Sequence, residues 1–473
     1  MKKQVIVIGG GISGLSAAYY LDKEARERRL PLSISILEAG ASWGGKISTV
    51  RQDGFVIEGG PDTFLAARPW GVELCRELGL EPRLHGTNPR VKHTYVLHRG
   101  RLQPLPEGLT MMIPTRIGPM LRTGLLSPLD KARMGLDFFI PPRSPDGDES
   151  LGGFVSRRLG RSAYERLIEP LMSGIYAGDG DQLSLQATFP ALRELELSHG
   201  GLVRGALSAR RRAAKSAKNP NGTRSAFLTP LTGLAEIVEA LLMRLQASGV
   251  SLRLAAAASR VLPASQGYSV VLAGGEVLSA DALVLATPAF ASGSLLSDLD
   301  PSLAQDLRLI PYVSTATISL AYQDADLPRP LDGYGYVIPR CEGRRALACT
   351  WTSTKFPHRA PPGFSLLRVF IGRAGDETGL PWAEADLLDL ARQELRLTLG
   401  IQAEPLLARL FRWEQAMPQY NLGHPERIRR IEAAVQGYKA LALAGNAYHG
   451  IGIPDCIHSG QLAAERVCQD LNS

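Results

Sequence analysis

The apolar run Val5-Ile6-Val7-Ile8 stops at Gly9, and Gly9, Gly11 and Gly14 then stand at the spacing G-x-G-x-x-G before Leu15, Ala18 and Tyr19 recur at helical intervals. That order is strand, tight turn, helix. The first glycine permits the sharp turn, the second admits a pyrophosphate against the backbone, and the third lets the helix approach the strand. The helix N-terminus then points its free N–H groups at the phosphates. A second β-rich run, Ser33 to Leu37, ends in Glu38, whose carboxylate is placed to accept hydrogen bonds from ribose hydroxyls and disfavours a 2′-phosphate. NAD and FAD both fit such a unit.

With 473 residues the chain suits two or three packed regions, enough to enclose a large cofactor. The formal charge of +7 favours anionic partners without choosing among a substrate, a lipid surface and nucleic acid, and no nucleic-acid partner is expected. Five cysteines, odd in number and without a C-x-x-C pair, fit reduced thiols in a cytoplasm, and no metal site is read. The opening residues imitate the basic-then-apolar order of a signal peptide. The glycines and the following helical pattern instead make them a first core strand. No stretch reaches the ~18 apolar residues of a spanning helix, so membrane contact is expected to be peripheral, at the inner face.

Soon after Glu38 comes Gly44-Gly45-Lys46, which resembles the glycine doublet of the flavin amine oxidase and porphyrinogen oxidase superfamily; spacing alone also allows an ordinary surface turn. Near the other end, Leu441 to Ala444 is a further apolar strand running through Gly450 and Gly452 into a helical tail, Ser459 to Leu471. In that superfamily a late strand–turn–helix sets backbone N–H groups beside the flavin, where reduction accumulates negative charge.

The middle segment reads as a helix over Leu234 to Leu245, then β segments at Ser251 to Leu254, Tyr268 to Leu272, Val277 to Leu278 and Ala282 to Ala286. From Glu81 to Phe189 prolines, basic residues and short helical pieces such as Asp130 to Phe139 and Ser150 to Leu159 suggest an inserted helical region. Within it Met111, Met112, Ile113, Ile117, Met120, Leu121, Leu125 and Leu126, interleaved with Arg116 and Arg122, form either a basic amphipathic surface for a bilayer interface or a helix packed on its own core. Ser208 to Arg224, with its basic cluster and Asn-Pro-Asn-Gly, reads as a solvated loop. From Pro311 to Glu414 recurring strands and one helix, Glu384 to Leu397, suggest a sheet flooring a substrate cavity. The expected architecture is α/β (α+β overall): a Rossmann-like cofactor domain over 1–84, 225–290 and 425–473, a mixed-sheet substrate domain over 85–100, 190–224 and 291–424, and the helical region over 101–189.

Four segments carry a more specific resemblance: Gly60 to Phe64, Leu167 to Asp179, Met417 to Tyr420 and Gly452 to Ile457 are similar, in order, to segments of the bacterial porphyrinogen oxidases. The resemblance implies non-covalent FAD, molecular oxygen as acceptor, and oxidation of a porphyrinogen to its porphyrin. Such a substrate loses six hydrogens in three two-electron steps, each returning hydrogen peroxide. Hydride leaves a meso carbon for flavin N5 while the pyrrole nitrogen stabilises the cation, so the protein's task is orientation rather than general-base catalysis. No catalytic side chain is assigned. The resemblance places Gly9, Gly10, Gly11, Ile12, Ser13, Gly14, Glu38, Ala39, Gly45, Lys46, Gly60, Pro61, Asp62, Thr63, Val261, Trp413, Gly450, Ile451, Gly452 and Ile453 at the cofactor, with Val261 near the adenine. It sets Asp62, Gly174 and Ile175 towards the substrate. Some eukaryotic members have an arginine where Asp62 stands, so their carboxylate-binding scheme is not carried over. Among the scattered histidines, His449 beside Gly450 is the one expected at the flavin end.

Ile113 to Ile117, Thr123-Gly124-Leu125 and Lys131-Ala132-Arg133 resemble the soluble bacterial type acting on coproporphyrinogen III, with protoporphyrinogen IX the alternative substrate and hand-off to a ferrochelatase implied. An amine oxidase or carotenoid desaturase would share the Gly9–Glu38 unit but not the Ser173–Asp179 and Pro454–Ile457 segments. A flavin-free binding protein on the same scaffold, as in GDP-dissociation inhibitors, is the rival from another class. The three glycines and Glu38 speak against it, and a yellow purified protein would exclude it.

Overall fold

The computed structural model describes residues 2–110, 113–114, 116–144, 147–208, 225–376 and 383–472. A five-stranded parallel sheet runs in the order Ser251–Arg253, Leu32–Leu37, Lys3–Ile8, Ala282–Leu285, Leu441–Leu443. The first strand lies between two others, with Val5 facing Ile34 and Ala282 in register. Its side chains alternate between two cores. Val5 and Val7 pack with the helices Ile12–Glu27, Ala235–Ala247 and Ile453–Asn472, whereas Ile6 and Ile8 pack with an antiparallel hairpin layer and the helix His424–Gln436. Both faces are covered, which is why the run is apolar throughout instead of alternating with polar residues.

That hairpin layer has three strands, Ala258–Pro263, Tyr268–Leu272 and Val277–Ala280. The first is one more than the sequence suggests, because Ser259 and Arg260 interrupt its apolar pattern. A seven-stranded mixed sheet forms the second body, in the order Leu407–Pro418, Tyr312–Gln323, Phe364–Ile371, Ala346–Trp351, Gly333–Val337, His93–His98, Arg101–Pro104. The helix Glu384–Leu399 covers one of its faces. Arg101–Pro104, expected in the helical region, is the return strand of a hairpin and pairs with His93–His98.

The helical region includes Pro128–Gly135, Leu151–Leu159 and Glu169–Tyr176 about a core containing Phe154, Leu167, Ile168 and Met172. Pro190–His199, expected in the substrate domain, joins this core through Leu192 and Leu195. Buried Arg158 anchors the region: it pairs with Asp137 at 2.6 Å and donates to the carbonyls of Ile140 and Gly200.

The stretch around 111–126 is not one amphipathic helix. Leu109–Thr110 and Ile113–Pro114 form a small antiparallel bridge, and among the described residues of this stretch only Ile117–Arg122 is helical. Ile113, Met120, Leu125 and Leu126 are buried in the helical core, while Leu121 stays 62% exposed. Met111, Met112, Thr115 and the basic run from Arg210 to Arg224 lie outside the described residues. No helix among the described residues is long and apolar enough to cross a membrane.

Candidate cofactor and substrate site

At the end of the first strand Gly9 adopts φ +112°, and a Cβ there would come within 2.6 Å of the Ala286 carbonyl. A Cβ on Gly14 would overlap the Gly9 carbonyl oxygen, so helix and turn touch through backbone alone. Gly11 is different: only the Gly45 Cα, at 3.9 Å, lies near the place a Cβ would take. This leaves an open cradle before the helix N-terminus. Glu38 braces it, one carboxylate oxygen accepting from Gly10 N–H at 2.7 Å and the other from Gly40 N–H at 2.6 Å. Gly44 crosses above, donating to the Gly10 carbonyl at 2.9 Å, and Gly45 follows at φ +58°. The doublet therefore closes over the turn and is no ordinary surface loop.

A second helix N-terminus converges on the first. The C-terminal helix Ile453–Asn472 crosses Ile12–Glu27 at Gly460, where a Cβ would overlap the Ser13 carbonyl and sit 2.9 Å from Ala17 N. The preceding loop is fixed by Tyr420, whose hydroxyl donates to Asn446 O at 2.6 Å and accepts from Gly450 N–H at 3.0 Å. Burial pushes the Tyr420 hydroxyl well above its ordinary pKa, so it keeps the proton it donates. Its ring stacks on His424 at 4.2 Å between centroids.

The third wall is the loop Gly59 to Thr63. A Cβ on Gly60 would overlap the Lys46 carbonyl. The Gly59 carbonyl accepts from Thr317 Oγ1 at 2.6 Å, Arg368 Nη2 at 3.0 Å and Trp413 Nε1 at 2.9 Å, three donors from three adjacent strands of the large sheet. Arg368 also donates to the Gly60 carbonyl. Asp62 receives Lys355 Nζ at 3.1 Å. Burial opposes its charge, but Lys355 and Arg368 outweigh burial and hold the carboxyl at about 2. Burial pushes the Lys46 ammonium below its ordinary pKa, partly offset by nearby Cys456.

Gly174 and Ile175 face open space from the helix Glu169–Tyr176: nothing lies within 4 Å of a Cβ on Gly174, and Ile175 is 47% exposed. Both ends of this helix are fastened. Glu169 accepts from Ser173 Oγ at 2.7 Å and Arg340 N–H at 3.1 Å, and Gln419 Nε2 donates to the Tyr176 carbonyl at 2.9 Å. Through Gln419 and Tyr420 the helix is tied to the loop that begins the C-terminal helix.

The sequence pattern described as flavin containing amine oxidoreductase matches residues 12–468. The chain belongs to that family. Coproporphyrinogen III oxidase of Bacillus subtilis is 38% identical over 463 residues, which cover 98% of this chain and 97% of that protein. Protoporphyrinogen oxidase 1 of Arabidopsis thaliana chloroplasts is 30% identical over 483 residues, 98% of this chain and 87% of that one. A solved structure from Exiguobacterium sp. 255-15 is 33% identical, covers 100% of both chains and superposes with a TM-score of 0.86.

In this flavin-containing oxidoreductase the Gly9–Gly14 turn touches Glu38 and the Gly44–Gly45 crossing, and Gly60 packs against the Lys46 carbonyl and the Trp413 ring. Ala39 sits on the exposed side of the Glu38 turn, and Val261 is buried in the hairpin layer with Leu37. His449 does not join them. Its ring lies 65% exposed and pairs with Glu432 at 2.5 Å, while buried His424 takes the place beneath the loop. Thr317, Arg368, Lys355 and the Tyr420 hydroxyl are the contributors that local sequence patterns do not single out. The signal for Arg368 is a lone charge inside the strand Phe364–Ile371. Among the described residues no His, Cys, Asp and Glu cluster is arranged to hold a metal.

Proposed function

We propose that this chain is an FAD-dependent oxidase converting coproporphyrinogen III to coproporphyrin III with molecular oxygen. The observation that carries the reading is likeness over the whole chain to the Bacillus subtilis coproporphyrinogen III oxidase, 38% identical, above the 30% to the chloroplast protoporphyrinogen oxidase. The residues fit FAD. Gly11 leaves room that any Cβ would fill, and two helix N-termini supply N–H groups for the pyrophosphate and for charge on the reduced ring. Each Glu38 oxygen has a lone pair beyond the one used by Gly10 or Gly40, free for the ribose hydroxyls. On this reading Val261 would lie towards the adenine, and Lys46, Gly60–Thr63, Trp413 and Gly450–Ile453 would hold the ring system.

An FAD held there would supply two-electron redox chemistry between substrate and oxygen, and three such rounds would remove six hydrogens from the macrocycle and form three hydrogen peroxides. The protein's own residues orient and shield. Thr317, Arg368 and Trp413 fix the Gly59 carbonyl, and through it the loop carrying Asp62. Gly174 presents no side chain and Ile175 an apolar one, which would leave room on this helix for an apolar macrocycle.

The reading places the enzyme in the cytoplasm, handing its product to a ferrochelatase. It includes peripheral contact with the inner membrane face through exposed Leu121, Leu129 and Phe139 beside Arg122. Flotation with anionic liposomes at low salt tests that contact. The function itself is tested by supplying each porphyrinogen to the yellow protein and following porphyrin fluorescence and peroxide. Formation of neither porphyrin overturns it.

A further inference from the structure

The side chains around the Gly59–Thr63 loop carry more positive than negative charge. Arg359, 1% exposed, pairs with Glu58 at 2.9 Å. Arg368 is buried, is spent on the Gly59 and Gly60 carbonyls, and leaves Nε and Nη1 without a partner. Lys355 pairs with Asp62. Three cations thus share two carboxylates. Neighbouring His358 adds no further charge: burial, with Arg359 beside it, lowers its pKa to about 4 and leaves the ring neutral. Removing a net positive charge from water is costly unless an anion accompanies it.

Lys355 is the most exposed of the three cations, its side chain 16% exposed against 1% for Arg359 and 2% for Arg368. Its ammonium lies 5.7 Å from the centre of the Phe227 ring and 5.3 Å from that of Phe356. Phe227 is 42% exposed and is the register partner of Leu65, itself 45% exposed. An apolar face therefore adjoins a cation whose only ion-pair partner among the described residues is one carboxylate, Asp62. A flat apolar ring bearing a carboxylate has the complementary chemistry.

Building on the porphyrinogen reading above, we propose that Lys355 selects the substrate. Its ammonium, held by Asp62 at the edge of the Leu65–Phe227 face, receives a propionate that coproporphyrinogen III carries and protoporphyrinogen IX replaces with a vinyl group. Asp62 fixes the amine without satisfying it, since an ammonium has three donors. The remaining donors point the specificity at one carboxylate.

The test compares the holoenzyme with Lys355→Met, which keeps an apolar stem on both rings, and Lys355→Arg, which keeps the charge. Binding of coproporphyrin III and protoporphyrin IX is read by fluorescence, kcat/KM for both porphyrinogens by product formation, and the flavin midpoint potential by dye titration. Lys355→Met is expected to weaken coproporphyrin binding about tenfold, the scale of a lost charge-assisted bond, and to lower the coproporphyrinogen preference to match. Protoporphyrin binding and the flavin potential stay put, and Lys355→Arg recovers most of the loss. Equal weakening of both porphyrins, or of neither, overturns the assignment. So does a shifted flavin potential with coproporphyrin binding intact, which would mean that the excess charge serves the cofactor. If the unsubstituted enzyme prefers coproporphyrinogen and Lys355→Met keeps that preference, only Lys355 is wrong; if it oxidises neither porphyrinogen, both readings fall.

Discussion

Gly450 donates its backbone N–H to the Tyr420 hydroxyl at 3.0 Å, so the residue that ends the large-sheet segment fixes the loop from which the C-terminal helix starts. The same hydroxyl donates to Asn446 O at 2.6 Å. Tyr420→Phe keeps the stack on His424 but leaves a half-buried N–H and carbonyl unpaired, a cost of up to about 1–3 kcal/mol for each group so stranded. The expected outcome is a lower denaturant midpoint together with faster flavin release. A variant equal to the parent in both would remove this loop from the account.

Glu38→Ala is expected to lose flavin on dialysis. The change removes the acceptor of two backbone N–H groups in the turn as well as that of the ribose, and hydrogen bonds to a charged group contribute about 1.5–3 kcal/mol. Full flavin absorbance after exhaustive dialysis would contradict the role given to this carboxylate.

Gly14→Val is expected to yield no yellow protein. A Cβ here overlaps the Gly9 carbonyl, so the helix has to move off its strand and the cradle opens. Gly11→Ala separates packing from binding, because its Cβ meets nothing closer than 3.9 Å. It should fold normally yet bind flavin weakly, as read by melting temperature and absorbance.

His424 gives a pH dependence of known sign. Burial is the main cause that lowers its pKa from 6.5 to about 4, with Arg427 and His449 adding to it and the Tyr448 carbonyl opposing. The unfolded chain takes up this proton at a higher pH than the folded one. The contribution to stability is therefore full above pH 6.5 and is lost as pH falls towards 4, at up to about 1.4 kcal/mol per pH unit. His424→Phe, which preserves stacking on Tyr420, should flatten urea-derived stability across that window by the share of one proton. An unchanged slope would show that the histidine is protonated in the fold.

The turn, the acid that ends the second strand and braces that turn, and the strand–helix alternation were legible because each is encoded within a few residues: three glycines, one carboxylate, one apolar period. The hydrogen bonds that hold the Gly59–Thr63 loop were not. Their donors come from sequence separations of 258 for Thr317, 309 for Arg368 and 293 for Lys355, and the local sequence does not point any of them at this loop. Arg368 looks like an ordinary charge in a strand until burial shows that it is spent on backbone carbonyls. Around 111–126 the apolar residues suggest one amphipathic face, but Ile113–Pro114 pairs with Leu109–Thr110 ahead of the short helix Ile117–Arg122, and Ile113, Met120 and Leu125 turn inward. His449 was placed by its neighbours in sequence, while its side chain points the other way, to Glu432.

The central claim is tested most directly by kcat/KM for coproporphyrinogen III and protoporphyrinogen IX at equal oxygen concentration, since discrimination is the ratio of the two constants. The account predicts a ratio clearly above one for the four-propionate compound, with hydrogen peroxide released at three per porphyrin. A ratio below one would contradict the substrate assignment while leaving the flavin oxidoreductase intact, and absence of turnover with both would contradict the porphyrinogen oxidase reading as a whole.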